Sequence, residues 1–116
     1  MVKVVWFLRK APHLTDAEFR SWWLERHAPM IVAKQGSMIA RYVINLREED
    51  ALPGGTPTPF DWDGMAEEWF DSEEEARRAF SLPSAPETRA DVMAHVSAMS
   101  RLIVSEHGIL DRPANR

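Results

Sequence analysis

The order in which apolar periodicity switches between strand-like and helix-like restricts this fold more than any other feature of the chain. Residues 2–9 are a β-branched and aromatic run, which reads as a strand. Ala11-Pro12-His13 breaks it, and Thr15 and Glu18 then stand at capping-box spacing, with Leu14 and Phe19 at the two positions of a hydrophobic staple. The predicted helix runs from Asp16 to about His27 and stops near Ala28-Pro29, because the residue before a proline disfavours helix. Met30 to Gln35 adds a turn before Gly36. Residues 38–47 alternate as a second strand and residues 63–70 form a third. Ser72 caps a short acidic helix through Ala76, Ala79 and Phe80, ended by Pro83. Ser84 and Glu87 open another helix with an apolar stripe at Val92, Met93, Val96 and Met99. Residues 101–110 read as the last strand. The order β-α-β-β-α-β is the split βαβ pattern of a ferredoxin-like α+β fold with a four-stranded antiparallel sheet.

Such a sheet carries helices on one face only. The expected helix-facing set is Val4, Trp6, Leu8, Tyr42, Ile44, Ala66, Phe70, Leu102 and Val104. The opposite face then holds Val5, Phe7, Val43, Met65, Trp69, Ile103 and Ile109, too apolar to face water, so two copies are expected to close against each other as a homodimer. Arg41, Asn45, Glu67, Ser105 and His107 fall on the same face. A mostly apolar cavity with a few convergent polar groups is what a small-molecule site looks like.

At 116 residues the chain is one domain, expected over residues 1–110 with a flexible tail at 111–116. Residues 48–61, with Pro53-Gly54-Gly55 and two further prolines, form a loop long enough to act as a lid. The formal net charge of −4, with basic residues scattered, argues against nucleic acid or an anionic membrane as partner. Without cysteine there is no disulfide, thiolate or cysteine-based zinc chemistry. The four histidines have no His-x-His or His-Glu-x-x-His spacing, so no metal is expected. No glycine-rich phosphate cradle and no Gly-x-Ser-x-Gly elbow is present. The apolar start at residues 2–9 is too short for a signal peptide or a membrane span, and the expected location is cytoplasmic.

Phe19-x₃-Trp23-x₃-His27-Ala28-Pro29-Met30 resembles the first-helix signature of the EthD family of dimeric α+β barrel proteins. Arg41-Tyr42-Val43-x-Asn45 resembles that family's second strand, Asp63-Gly64-Met65-Ala66-Glu67-Glu68-Trp69-Phe70-Asp71-Ser72 its third, and Glu106-His107 a common ending of its fourth. Glu68 departs from the family pattern, where that site is usually apolar, and is expected near a sheet end. Similar barrels include muconolactone isomerases, polyketide cyclases, fungal decarboxylases and cofactor-independent oxygenases. The resemblance therefore implies proton chemistry on a small molecule without metal or cofactor.

His27 matches the family histidine. It reads either as a general acid/base at the barrel mouth or as a cation capping the helix C-terminus. His107 reads as a second proton-transfer group or as a sheet histidine at the dimer interface. Glu67, between Met65 and Trp69 on one strand face, is either an active carboxylate or half of an ion pair with Arg41 or Arg9. Arg41, Asn45, Phe7, Trp69 and Trp23 are the expected substrate contacts, Trp23 and Phe19 serving mainly as core. Tyr42 belongs to the helix side, and His13 and His95 carry no functional reading. The expected activity is that of a cofactor-free lyase, isomerase or cyclase acting on a small aromatic, lactone or polyketide-like compound. The alternatives are a noncatalytic binding protein of a catabolic pathway and a cofactor-free oxygenase.

Overall fold

The computed structural model describes residues 1–55 and 60–113. Residues 56–59 of the expected lid and 114–116 of the expected tail lie outside that description. The elements are β1 (Val2–Lys10), α1 (Asp16–Trp22), a π-helical turn (Trp23–His27), α2 (Ala28–Gln35), β2 (Ile39–Leu46), β3 (Gly64–Phe70), α3 (Glu73–Phe80), α4 (Ala85–Met93) and β4 (Val96–Val104). The strands form one antiparallel sheet in the order β2-β3-β1-β4. No helix among the described residues is long and apolar enough to cross a membrane.

The capping box forms as its spacing predicts. The Glu18 amide donates to Thr15 Oγ1 at 3.1 Å and the Thr15 amide to Glu18 Oε1 at 2.9 Å. The helix does not stop before Pro29. Pro29 has no N–H to give and its ring crowds the preceding turn. The chain widens there by one residue, so the Ala28 amide donates to the Trp23 carbonyl and α2 follows without a break. That widening brings side chains five apart onto one face. Trp22 and His27 consequently stack, their ring centroids 5.0 Å apart.

The last strand begins five residues earlier than its periodicity suggests. Val96 and Met99 share the core side as they would on a helix, but they sit on β4 across a register shift opposite Arg9 and Lys10. A bulge moves the strand's phase by one residue, so a spacing of three survives in extended chain. The same shift inverts the expected faces of β4. Ile103 pairs with Val4 and Arg101 with Trp6 on the helix side, while Leu102 and Val104 pair with Val5 and Lys3 on the free side. Ile109 lies beyond the strand and is exposed. The phases of β1, of β3 and of β2 from Arg41 onward agree with the alternation in the sequence, while a register shift between Ile39 and Arg41 puts Ile39 opposite Phe70 on the helix side; Val4, Leu8, Ala66 and Phe70 are buried under the helices.

Gly64, first in β3, is where Trp23 meets the sheet. A Cβ there would stand 2.6 Å from the Asn45 carbonyl oxygen and 2.6 Å from the Trp23 ring. Gly64→Ala is therefore expected to cost about 1–3 kcal/mol through overpacking, read as a lower urea midpoint at unchanged slope.

Candidate functional site

Between the helix-facing side of the sheet and the helices lies a cavity of about 440 Å³. Its floor is Trp6, Leu8, Tyr42, Ala66 and Glu68. Trp23, His27, Ile31 and Gln35 form one wall, and α4 the other through Thr88, Arg89 and Val92. Phe80, Ala85, Pro86, Met99 and Arg101 complete the lining.

His27 reaches this cavity from the π-helical turn. It is 6% exposed, and its Nδ1 lies 2.9 Å from Asp91 Oδ2 on α4. A carboxylate only accepts, so Nδ1 carries the proton and Nε2 keeps a basic lone pair. The same carboxylate accepts from Trp22 Nε1 at 3.2 Å, and Trp22 stacks with both His27 and His95. Burial pulls the His27 pKa below its ordinary value, and the Asp91 partner offsets only part of that. The histidine is thus neutral near pH 7 and held in one orientation.

Glu68 is the residue the sequence placed wrongly. It is not near a sheet end. It pairs with Val4 on one side and Tyr42 on the other, in mid-strand, and is 4% exposed. Burial raises its pKa to about 7, against a smaller lowering by the Trp6 indole N–H, which donates to Oε1. Tyr42, directly across the strand pair, is pushed well above the usual phenol range by burial and then by the Glu68 charge. A neutral phenol and a carboxyl that titrates near neutrality therefore share the cavity floor with the imidazole on the wall.

The other sequence candidates are not brought to this cavity. Phe7, Arg41, Asn45, Glu67 and Trp69 lie on the free face, because neighbours along a strand point to opposite sides of the sheet. Glu67 pairs with Lys3 Nζ at 2.6 Å rather than with Arg41 or Arg9, and accepts from Asn45 Nδ2 at 2.8 Å. Burial alone would raise its pKa, but Lys3 and Asn45 outweigh that and hold it below the usual value. Lys3 and Arg41 each lie against the Trp69 ring, at 4.5 and 4.6 Å from its centroid. His107 follows the end of β4, exposed, with Nε2 3.1 Å from Ser105 Oγ. Of the expected site residues, only His27 and Trp23 line the cavity. Among the described residues no three or more His, Cys, Asp or Glu side chains gather as a metal site.

Glu68 and Gln35 were missed, although one signal for Glu68 was legible. Its neighbours two residues away, Ala66 and Phe70, are core residues, so a carboxylate in that phase had to be buried. Asp91 carried no local signal, being 64 residues from its partner.

The fold is shared with proteins of low sequence identity. A protein of the EthD (ethyl tert-butyl ether) family from Bacillus halodurans superposes with a TM-score of 0.66 at 18% identity, over 92% of this chain and 100% of that one. A dimeric protein of unknown function and ferredoxin-like fold from Bacteroides fragilis gives 0.61 at 15% identity, over 90% and 95%. SnoaB, a cofactor-independent oxygenase from Streptomyces nogalater, gives 0.63 at 19% identity, over 97% and 100%. No protein of curated function matches the sequence significantly. The EthD domain model, by contrast, matches residues 11–99, which takes in the π-helical turn, the whole of β2 and β3, and all of α4; this chain belongs to the EthD family.

Proposed function

We propose that this protein is a small-molecule enzyme of the proton-transfer type, a lyase, isomerase or cyclase, working on a flat and largely apolar compound held between helices and sheet. One observation carries the reading. An imidazole oriented by a carboxylate and a carboxyl titrating near neutrality line the same cavity. Burial favours the neutral form of both, which leaves a free imidazole to act as base and a protonated carboxyl to act as acid. His27 Nε2 takes a proton from a carbon next to a carbonyl. The C–H electron pair moves into the enolate, and protonated Glu68 donates to the developing oxygen. The imidazolium then gives its proton to a different carbon while the Glu68 carboxylate takes back the enol O–H proton, which yields the isomer and restores both groups. Asp91 is a positioning residue, since it acts through the imidazole. The likeness to SnoaB, a protein described as a cofactor-independent oxygenase, supports the cavity of this fold as a place for small-molecule chemistry.

The free sheet face, with the Lys3–Trp69–Arg41 stack and the Glu67 network, serves in this reading as the surface joining two copies. The dimeric Bacteroides fragilis protein of the same fold supports it.

The test is deuterium exchange at the α-carbon of phenylacetone in D₂O, followed by proton NMR. Acceleration by the protein, with a bell-shaped pH profile, is expected. The rate rises with pH as His27 loses its proton, below the ordinary histidine range, and falls as Glu68 ionises around pH 7. A rate equal to that of buffer alone, at every pH, would sink the proposal.

A further inference from the structure

We infer that the natural ligand of the cavity is an organic anion, with its apolar body inside and its carboxylate held by Arg101. This inference rests on the reading of the cavity as the ligand site and adds the charge of what enters it. Arg101 stands on the helix-facing side of β4, in line with Met99 and Ile103, where the pattern of the other strands calls for an apolar residue. It lines the cavity. Its guanidinium carbon lies 5.4 Å from the Trp6 ring centroid and 5.6 Å from that of Phe80, two rings that themselves meet edge to face at 5.8 Å. Packing on aromatic rings occupies the faces of a guanidinium and leaves its N–H edge for a planar anion.

That edge has no carboxylate partner among the described residues. Lys10, Arg26, Arg41, Arg89, Arg101 and Arg112 form no ion pair among the described residues, and of these only Arg89 and Arg101, both exposed to solvent, line the cavity. Glu68 on the cavity floor accepts from the Trp6 indole and forms no ion pair with Arg101 or Arg89. In a chain with net charge −4, two arginines without acidic partners on one cavity are a placement that an anionic ligand would complete. A second observation on the same cavity points to a ligand. Gln35, 5% exposed and part of the lining, has a side-chain oxygen with no hydrogen-bond partner. A buried acceptor of that kind is costly unless something fills it. Its terminal torsion is soft enough to turn toward a ligand hydroxyl.

The experiment compares trans-cinnamate with trans-cinnamamide by isothermal titration calorimetry at pH 6. The two share a flat body and differ in charge. The wild-type protein is expected to bind cinnamate about ten-fold or more tightly than the amide, the scale of one charge-assisted hydrogen-bonded pair. Added salt should narrow that ratio. Arg101→Met keeps a flexible apolar stem and removes the charge. It should bring the two affinities together while leaving that of the amide within about three-fold. Thermal melting of the variant checks that it is folded, and Arg89→Met repeats the test from α4. Equal binding of both compounds by the wild type overturns the assignment and leaves the cavity as a ligand site. So does a preference that survives Arg101→Met and Arg89→Met together. Binding of neither compound overturns the reading of the cavity itself, and this assignment with it.

Discussion

His27→Gln is expected to slow protein-catalysed exchange of phenylacetone α-protons by about 10²–10⁴-fold, the usual contribution of a positioned general base. Glutamine keeps an N–H that can reach Asp91, so the bridge between the π-helical turn and α4 survives while the basic lone pair is lost. The fold should melt at nearly the wild-type temperature. Asp91→Asn separates positioning from proton transfer. Its charge and hydrogen bond raise the His27 pKa against the larger effect of burial, so removing the charge should lower that pKa further. The acid limb of the rate profile then moves to lower pH, and the maximal rate falls less than it does in His27→Gln. NMR titration of the His27 ring reads the shift directly. An unchanged exchange rate in His27→Gln would remove the imidazole from the chemistry and leave it as part of the wall.

Glu68→Gln should stabilise the protein, and by an amount that depends on pH. The carboxyl titrates at about 7 in the folded chain and at 4.5 as its ordinary value. Between those two values the folded state binds the proton more readily, so wild-type stability contributed by this group falls as pH rises through that window. Above pH 7 the folded protein carries a buried carboxylate at a cost of about 3 kcal/mol, by the linkage of pKa to free energy. Glutamine has the same shape, stays neutral and can still accept from the Trp6 indole. Urea unfolding should therefore show Glu68→Gln more stable by about 3 kcal/mol at pH 9 and by less than about 1 kcal/mol at pH 5. His27 works in the opposite direction. Its folded pKa lies below the ordinary value, so the stability it contributes is complete above that value and is lost as pH falls through the folded one. The wild-type profile is thus squeezed from both sides. A stability difference between Glu68→Gln and wild type that does not change with pH would show that the carboxyl is not buried in its charged form.

The two variants test groups of unequal legibility. His27 was found by its motif, and its two readings, base or helix cap, were both open because the sequence could not show how the helix passes Pro29. In a helix that ended there, His27 would sit at a frayed terminus. The π-helical turn instead carries the ring inward onto Trp22. Glu68 was passed over because it departs from the family pattern and reads as lying near a sheet end, while Glu67 reads as the carboxylate on the apolar face between Met65 and Trp69. Strand alternation sends the two to opposite faces, where one meets Lys3 and the other an indole N–H.

Local chemistry in the sequence alone determined the element order, the capped start of α1, the faces of β1, of β3 and of β2 from Arg41 onward, and the aromatic anchor of Phe19 and Trp23. Those features depend on contacts between residues a few positions apart and on strict alternation, both of which are written in the chain. Tertiary structure decided the rest. The bulge opposite Arg9 and Lys10 set the phase of β4 and turned Arg101 toward the cavity. The passage through Pro29 turned His27 toward Asp91. The cavity lies under the helices, where gaps between elements distant in sequence leave room for a ligand, rather than on the free face, where Lys3 and Glu67 close the surface with an ion pair. No periodicity records such distances, because each is fixed by how whole elements pack and not by the residues beside it.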